Sequence, residues 1–221
     1  MTEHELKILN ALEAMKTSPD TFRVTEDMLR GDLGEVVTRV REQWLRVLDV
    51  FEGLREQRGN RGYWQDRFNR GVKTALGSAY CHAFIEWTVA YTAELVGIPD
   101  WIKANTASSQ NFFAHAQKNG LITLSILVGA VAIWRNGMTW QGHVGAVRVI
   151  EYMKETPSGF FSTEANTSNP ISKWREGEWI LRKRHTLGRV GAALKEGRWL
   201  RGFFDTDKAI ENVLQSMAAG L

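Results

Sequence analysis

From Leu33 to Leu54 the apolar residues fall at Leu33, Val37, Val40, Trp44, Val47, Phe51 and Leu54, four and three apart in alternation. That spacing draws one apolar seam along a long helix. Beyond Pro99 the period changes. Val128 to Trp134, His143 to Tyr152, Gly159 to Asn166, Trp179 to Arg184 and Trp199 to Phe204 are short β-rich runs separated by Gly, Asn, Pro or charged turns. Helices first and an antiparallel meander afterwards is the pattern of an α+β domain.

The remaining elements fit around that division. Thr2 with Glu5 forms a capping box, and Leu6, Leu9, Leu12 and Met15 mark a short helix that Ser18-Pro19-Asp20 ends. Residues 1–34 therefore read as an N-terminal helical appendage, 35–205 as the main domain and 206–221 as a closing helix. Tyr63 to Val72 is a further helix, Phe112-Phe113 lies in a short one, and Ile210, Val213, Leu214 and Met217 share one side of the last. The Leu33 to Leu54 seam also suits a coiled-coil dimer. Because Gly53 costs an isolated helix about 1 kcal/mol, a seam packed within the chain is the expected outcome.

Composition narrows the function classes. With 43% hydrophobic and 24% charged residues in 221, the chain is ordinary for a globular protein with one sizeable core, which excludes wholesale disorder. Its single Cys excludes an internal disulfide and a multi-cysteine metal site, and no metal or cofactor is expected. A net charge of +3 is mildly basic and suits an anionic partner such as nucleic acid or the bacterial wall. The acidic start Met1-Thr2-Glu3-His4-Glu5-Leu6 does not resemble a signal peptide. The apolar run from Leu121 to Ile133 is shorter than the roughly 20 residues of a membrane span and reads as buried structure.

The one cysteine lies in Gly77-Ser78-Ala79-Tyr80-Cys81-His82-Ala83-Phe84-Ile85-Glu86-Trp87. Apolar or small residues recur at Cys81, Phe84, Ile85, Thr88, Val89, Thr92 and Val96, a helix face turned to a core. Ser78 as N-cap would place Cys81 at the third helical position, where unpaired N–H groups and the helix dipole favour a thiolate. A lone cysteine is more often a small buried hydrophobe, so a nucleophile here requires a histidine base and an orienting group.

Five histidines compete for that role. His82 points roughly 100° away from Cys81 on a helix, His4 lies in the appendage, and His115 and His185 lie in polar or basic surroundings without a motif. His143 opens a strand in Gly142-His143-Val144-Gly145, where glycines admit close approach. In Phe160-Phe161-Ser162-Thr163-Glu164-Ala165-Asn166, Glu164 and Asn166 alternate onto one strand face and can reach one imidazole on the next strand.

Tyr80-Cys81-His82-Ala83-Phe84-Ile85-Glu86-Trp87, Gly142-His143-Val144-Gly145 and Thr163-Glu164-Ala165-Asn166-Thr167, in that order, resemble the CHAP family of cysteine, histidine-dependent amidohydrolases/peptidases, which is papain-like and NlpC-related. The resemblance covers roughly residues 35 to 205, taking in Asn60-Arg61-Gly62 upstream and Arg175-Glu176-Gly177 to Phe203 downstream. It implies a papain-like core cleaving amide bonds of bacterial peptidoglycan, as an amidase or an endopeptidase, with Cys81 as nucleophile, His143 as base, Glu164 orienting His143 and Asn166 as a further polar member. Three positions depart from the family pattern. Ala130 stands where an acidic residue is usual, His82 where Ala is usual, and Ala165 where the middle Gly of E-G-N is usual.

No nucleic acid partner is expected, and such a protein would be made in the cytoplasm and reach the wall by release or delivery, as a phage lysin or an effector does. Two other functions remain open: a papain-like amidohydrolase with a non-wall substrate, and a catalytically silent adaptor presenting the basic region Lys173 to Arg201 to an anionic partner.

Overall fold

The computed structural model describes residues 1–57, 59–167, 178–191 and 197–221; Arg175-Glu176-Gly177 and Lys173 lie outside the described residues. Thr2 and Glu5 satisfy each other's backbone N–H groups and start α1 (Glu3–Thr17). The inward face of α1 is Glu5, Ile8 and Leu12, while Leu6 is exposed. The helix is turned that way because the Trp64 indole donates to the Glu5 carbonyl at 3.2 Å and the Tyr63 N–H to the Glu5 carboxylate at 3.3 Å. A one-turn α2 (Glu26–Leu29) leads into α3 (Leu33–Val50), capped by Asp32.

The α3 seam is buried as its spacing requires, but the helix ends at Val50 and Leu54 lies beyond a turn in which Gly53 takes φ +83°. Val37, Val40, Trp44, Val47, Phe51 and Leu54 are all buried, packed on the chain's own helices, so the seam is occupied within the chain. Trp44 adds a donor to this packing, its indole N–H reaching Thr88 Oγ1 at 3.0 Å. Next come α4 (Tyr63–Gly71), α5 (Cys81–Val96) and α6 (Ser109–Lys118). The chain closes with α7 (Thr206–Ala218), whose Ile210 and Leu214 are buried with Val213 and Met217 beside them.

Between α6 and α7 lie β1 (Ile122–Thr123), β2 (Val131–Asn136), β3 (Gly142–Met153), β4 (Thr156–Thr167), β5 (Trp179–Thr186) and β6 (Arg198–Phe204), so the chain is α+β. They form one antiparallel six-stranded sheet in the order β1-β6-β2-β3-β4-β5. Only β2 to β5 follow the simple meander that the sequence suggests. The last strand crosses to the free side of β2, pairing Phe204 with Val131 and Phe203 with Ala132. That position is open to it because Val131, Ala132, Ile133 and Trp134 are buried on both faces and need a neighbour on each side.

Residues alternate between the two faces of this sheet. Val131, Ile133, Val144 and Ala146 join the core shared with the helices, while Ala132, Trp134, Val147, Phe160, Leu200 and Phe203 make a second cluster opposite. The run from Leu121 to Ile133 is only partly interior. Leu124, Leu127 and Val128 are exposed in the connection before β2, which begins at Val131, three residues after the start of the β-rich run at Val128. Among the described residues no helix is long and apolar enough to cross a membrane.

Candidate active site

Cys81 is the first residue of α5, with Tyr80 at the N-cap, rather than the third residue behind a Ser78 cap. Ser78 belongs to the preceding turn, where its N–H donates to the Ala75 carbonyl and its carbonyl accepts from Asn69 Nδ2. The consequence for chemistry is favourable. A residue at the first position has its own N–H and those of the next residues unpaired and pointing past the helix end. The whole of α5 is sunk in the protein; besides Cys81, the positions Phe84, Ile85, Thr88, Val89, Thr92 and Val96 are buried, and so are most of the others. Gly97, at φ +79°, ends it in the left-handed region.

His143 enters from the start of β3, where it pairs with Trp134 of β2. Its Nε2 meets Glu164 Oε2 at 2.9 Å, and its ring lowers the Cys81 thiol through charge and hydrogen bonding. With Nε2 taken by the carboxylate, Nδ1 is the nitrogen left for sulfur. Glycine makes the approach of β3 and β4 achievable. A Cβ at Gly145 would stand 2.7 Å from Glu164 Cγ, inside any real contact distance.

Electrostatics polarise this line of groups. Burial pushes the Cys81 thiol up, but the hydrogen bond and charge of His143, with the backbone N–H groups of His82 and Val144, bring it below the ordinary 9.0. Burial and the Arg198 charge push His143 down, yet the Glu164 carboxylate and the hydrogen bonds to Cys81 and Glu164 hold it above 6.5. Glu164 is fully buried, which by itself raises it; His143, His185 and Arg198 together keep its carboxyl well below the usual carboxylate range. The pair is thereby biased to thiolate and imidazolium.

Four other residues settle the remaining expectations. His82 is directed away from the sulfur, its Nδ1 at 2.5 Å from the Thr106 carbonyl and its ring against Phe112. Burial lowers it to about 4, so it is neutral. His115 lies on α6, where its charge is felt by His82. Asn166 does not join Glu164 on His143. The pairing with β5 shifts between Glu164 and Thr167, Asn166 takes φ +54°, and its side chain makes no hydrogen bond among the described residues. Such a break in alternation redirects a side chain that strict period two would have placed beside Glu164. Ala130, finally, is buried in the second cluster, where an acidic group would be surrounded by apolar atoms.

His185 is the residue that pattern reading passed over. Its Nε2 contacts Glu164 Oε1, so one carboxylate carries two imidazoles, and Ser162 Oγ donates to the same oxygen at 2.7 Å. The signal was present in alternation, since β5 continues through Thr186 instead of stopping at Arg184, which brings His185 into the sheet opposite Phe160. The segment from Ile98 to Ser125, which matches no motif, also contributes. Ser108 and Ser109 wall a cleft of about 240 Å³ that Cys81 borders with Ala79, Gln141 and the exposed Trp140.

Among the described residues no group of three or more His, Cys, Asp or Glu is placed to hold a metal ion. No family model, no curated protein and no solved structure matches this chain.

Proposed function

We propose that the protein is a papain-like cysteine amidohydrolase that cleaves amide bonds in bacterial peptidoglycan. The observation that carries this reading is the continuous series of Cys81 sulfur, His143 ring and Glu164 carboxylate at the N-terminus of α5. The wall substrate rests on the motif resemblance and on the mildly basic charge.

In the mechanism, the Cys81 thiolate attacks the carbonyl carbon and the electron pair moves onto oxygen, where the unpaired Cys81 N–H can donate to it. As the C–N bond breaks, His143 gives its proton to the departing amine and a thioester remains. Water then loses a proton to His143 and attacks the thioester, and the C–S bond breaks to return the thiolate. Glu164 takes no proton; it holds the ring by Nε2 and stabilises the imidazolium.

The experiment is digestion of purified peptidoglycan by the protein and by Cys81→Ala, with new termini identified by mass spectrometry. New amine termini with the parent protein and none with the variant support the proposal, and their identity separates an amidase from an endopeptidase. Equal digestion by both proteins removes the mechanism. Cleavage of peptide amides with intact peptidoglycan shifts the reading to a non-wall substrate, and cleavage of neither to an adaptor.

A further inference from the structure

A second cavity, of about 260 Å³, is lined by Trp134, Phe160, His185, Arg189, Arg198 and Trp199. Three aromatic side chains give it an apolar floor, on which the His185 ring lies 4.8 Å from Trp134 and 5.1 Å from Phe160. His185 is fixed there by Glu164, so it is wall and not free ligand.

The two arginines are different. Neither Arg189 nor Arg198 makes a hydrogen bond or an ion pair with a described residue, whereas Arg55, Arg61, Arg148, Arg182 and Arg184 all do. The Arg198 guanidinium lies 4.6 Å from the centroid of the Trp134 ring. Stacking uses the flat face of a guanidinium and leaves its rim of N–H donors unengaged. Trp134 in turn pairs with His143 in the sheet, their rings 6.0 Å apart, so the guanidinium lies within electrostatic reach of His143 and Glu164. The Cys81 and His143 charges offset each other and the Glu164 carboxylate partly balances the Arg198 charge, while the guanidinium rim has no hydrogen-bond partner among the described residues.

We propose that this cavity is a subsite for a carboxylate-bearing part of the ligand, with Arg198 as its bidentate partner and Arg189 as a second cation at its mouth. A bare inorganic anion would leave the aromatic floor uncovered, whereas a carboxylate on an organic body uses both floor and rim. As a statement about substrate this rests on the amide-hydrolase reading, and it makes Arg198 a specificity-determining residue for acidic peptide substrates.

The test uses N-acetylglutamate and its uncharged diamide counterpart N-acetylglutaminamide, followed by the indole N–H signals of Trp134 and Trp199 in 15N-labelled protein. Acetylglutamate is expected to shift both signals saturably and acetylglutaminamide to leave them in place. Arg198→Gln should weaken the titration about tenfold or more, with Arg198→Lys intermediate because it keeps charge and loses the fork; the Lys variant carries the comparison if the Gln variant does not fold. Equal responses to the two ligands, or an Arg198→Gln titration matching the parent, overturn the subsite. The outcomes separate from those above: digestion of peptidoglycan without any acetylglutamate response removes the subsite alone, and an Arg198-dependent response with intact peptidoglycan removes the wall reading alone.

Discussion

Glu164 carries His185 on the oxygen that His143 leaves free, so the two imidazoles are tied to opposite oxygens of one buried carboxylate. The arrangement locks the Glu164 side chain as well as the His143 ring, because a carboxylate held at both oxygens cannot rotate. Glu164→Gln keeps size and one acceptor but cannot accept from both rings and has no charge for an imidazolium. Turnover is expected to fall on the order of 10²-fold or more, with the His143 pKa moving down since its anionic neighbour is gone. Measured turnover together with the NMR titration of His143 checks both; an unmoved His143 would mean the carboxylate does not act on it.

His143→Ala should reduce turnover about as far as Cys81→Ala, and the double variant no further, because members of one unit do not contribute additively. His115→Ala should retain most of the activity. Turnover of the four proteins, with circular dichroism to verify folding, decides it. An active His143→Ala protein would overturn the assignment.

Cys81 should be alkylated by iodoacetamide at pH 6 faster than a small free thiol is. The sign follows from the directions: a thiol lowered below 9.0 and an imidazole raised above 6.5 increase the thiolate fraction on the acid side. His143→Ala removes the hydrogen bond and charge that outweigh burial, so the midpoint of alkylation against pH should move upward. The rate profile measured from pH 5 to 10 on both proteins is the check.

Gly145→Ala should be folded and nearly inactive. The new Cβ meets Glu164 Cγ at 2.7 Å and Ser162 Oγ at 3.2 Å, so the carboxylate must leave His143 before the strands can remain paired. Retained thermal stability with lost turnover is expected; unchanged turnover would show that the carboxylate position is not required.

His82 makes stability sensitive to acid. Its pKa is lowered from 6.5 to about 4 by burial, so the unfolded chain binds a proton that the folded one refuses throughout that interval. Stability therefore falls as pH drops from 6.5 and levels off below about 4, a loss of about 3 kcal/mol if no other group titrates. His82→Asn places an amide N–H near the position of Nδ1 for the Thr106 carbonyl and removes the titration. Urea unfolding at pH 7, 5.5 and 4 should show a shallower decline for the variant than for the parent protein.

Much of this protein is determined locally and is legible in its sequence. The seam from Val37 to Val47, the Thr2-Glu5 box and the alternation in β3 and β4 follow from periods of 3.6 and 2, which depend only on neighbouring dihedrals and on one apolar side. The candidate partners of a nucleophile were visible too, because residue type and order are enough to nominate Cys81, His143 and Glu164. Other features were decided by tertiary structure alone. The insertion of β6 beside β2, the redirection of Asn166, the meeting of His185 with Glu164 and the contribution of Ser108 and Ser109 to the cleft all depend on pairing between distant segments. Such pairing is settled by which exposed strand edge and which buried face remain to be covered once the helices have packed, and no local pattern contains that information.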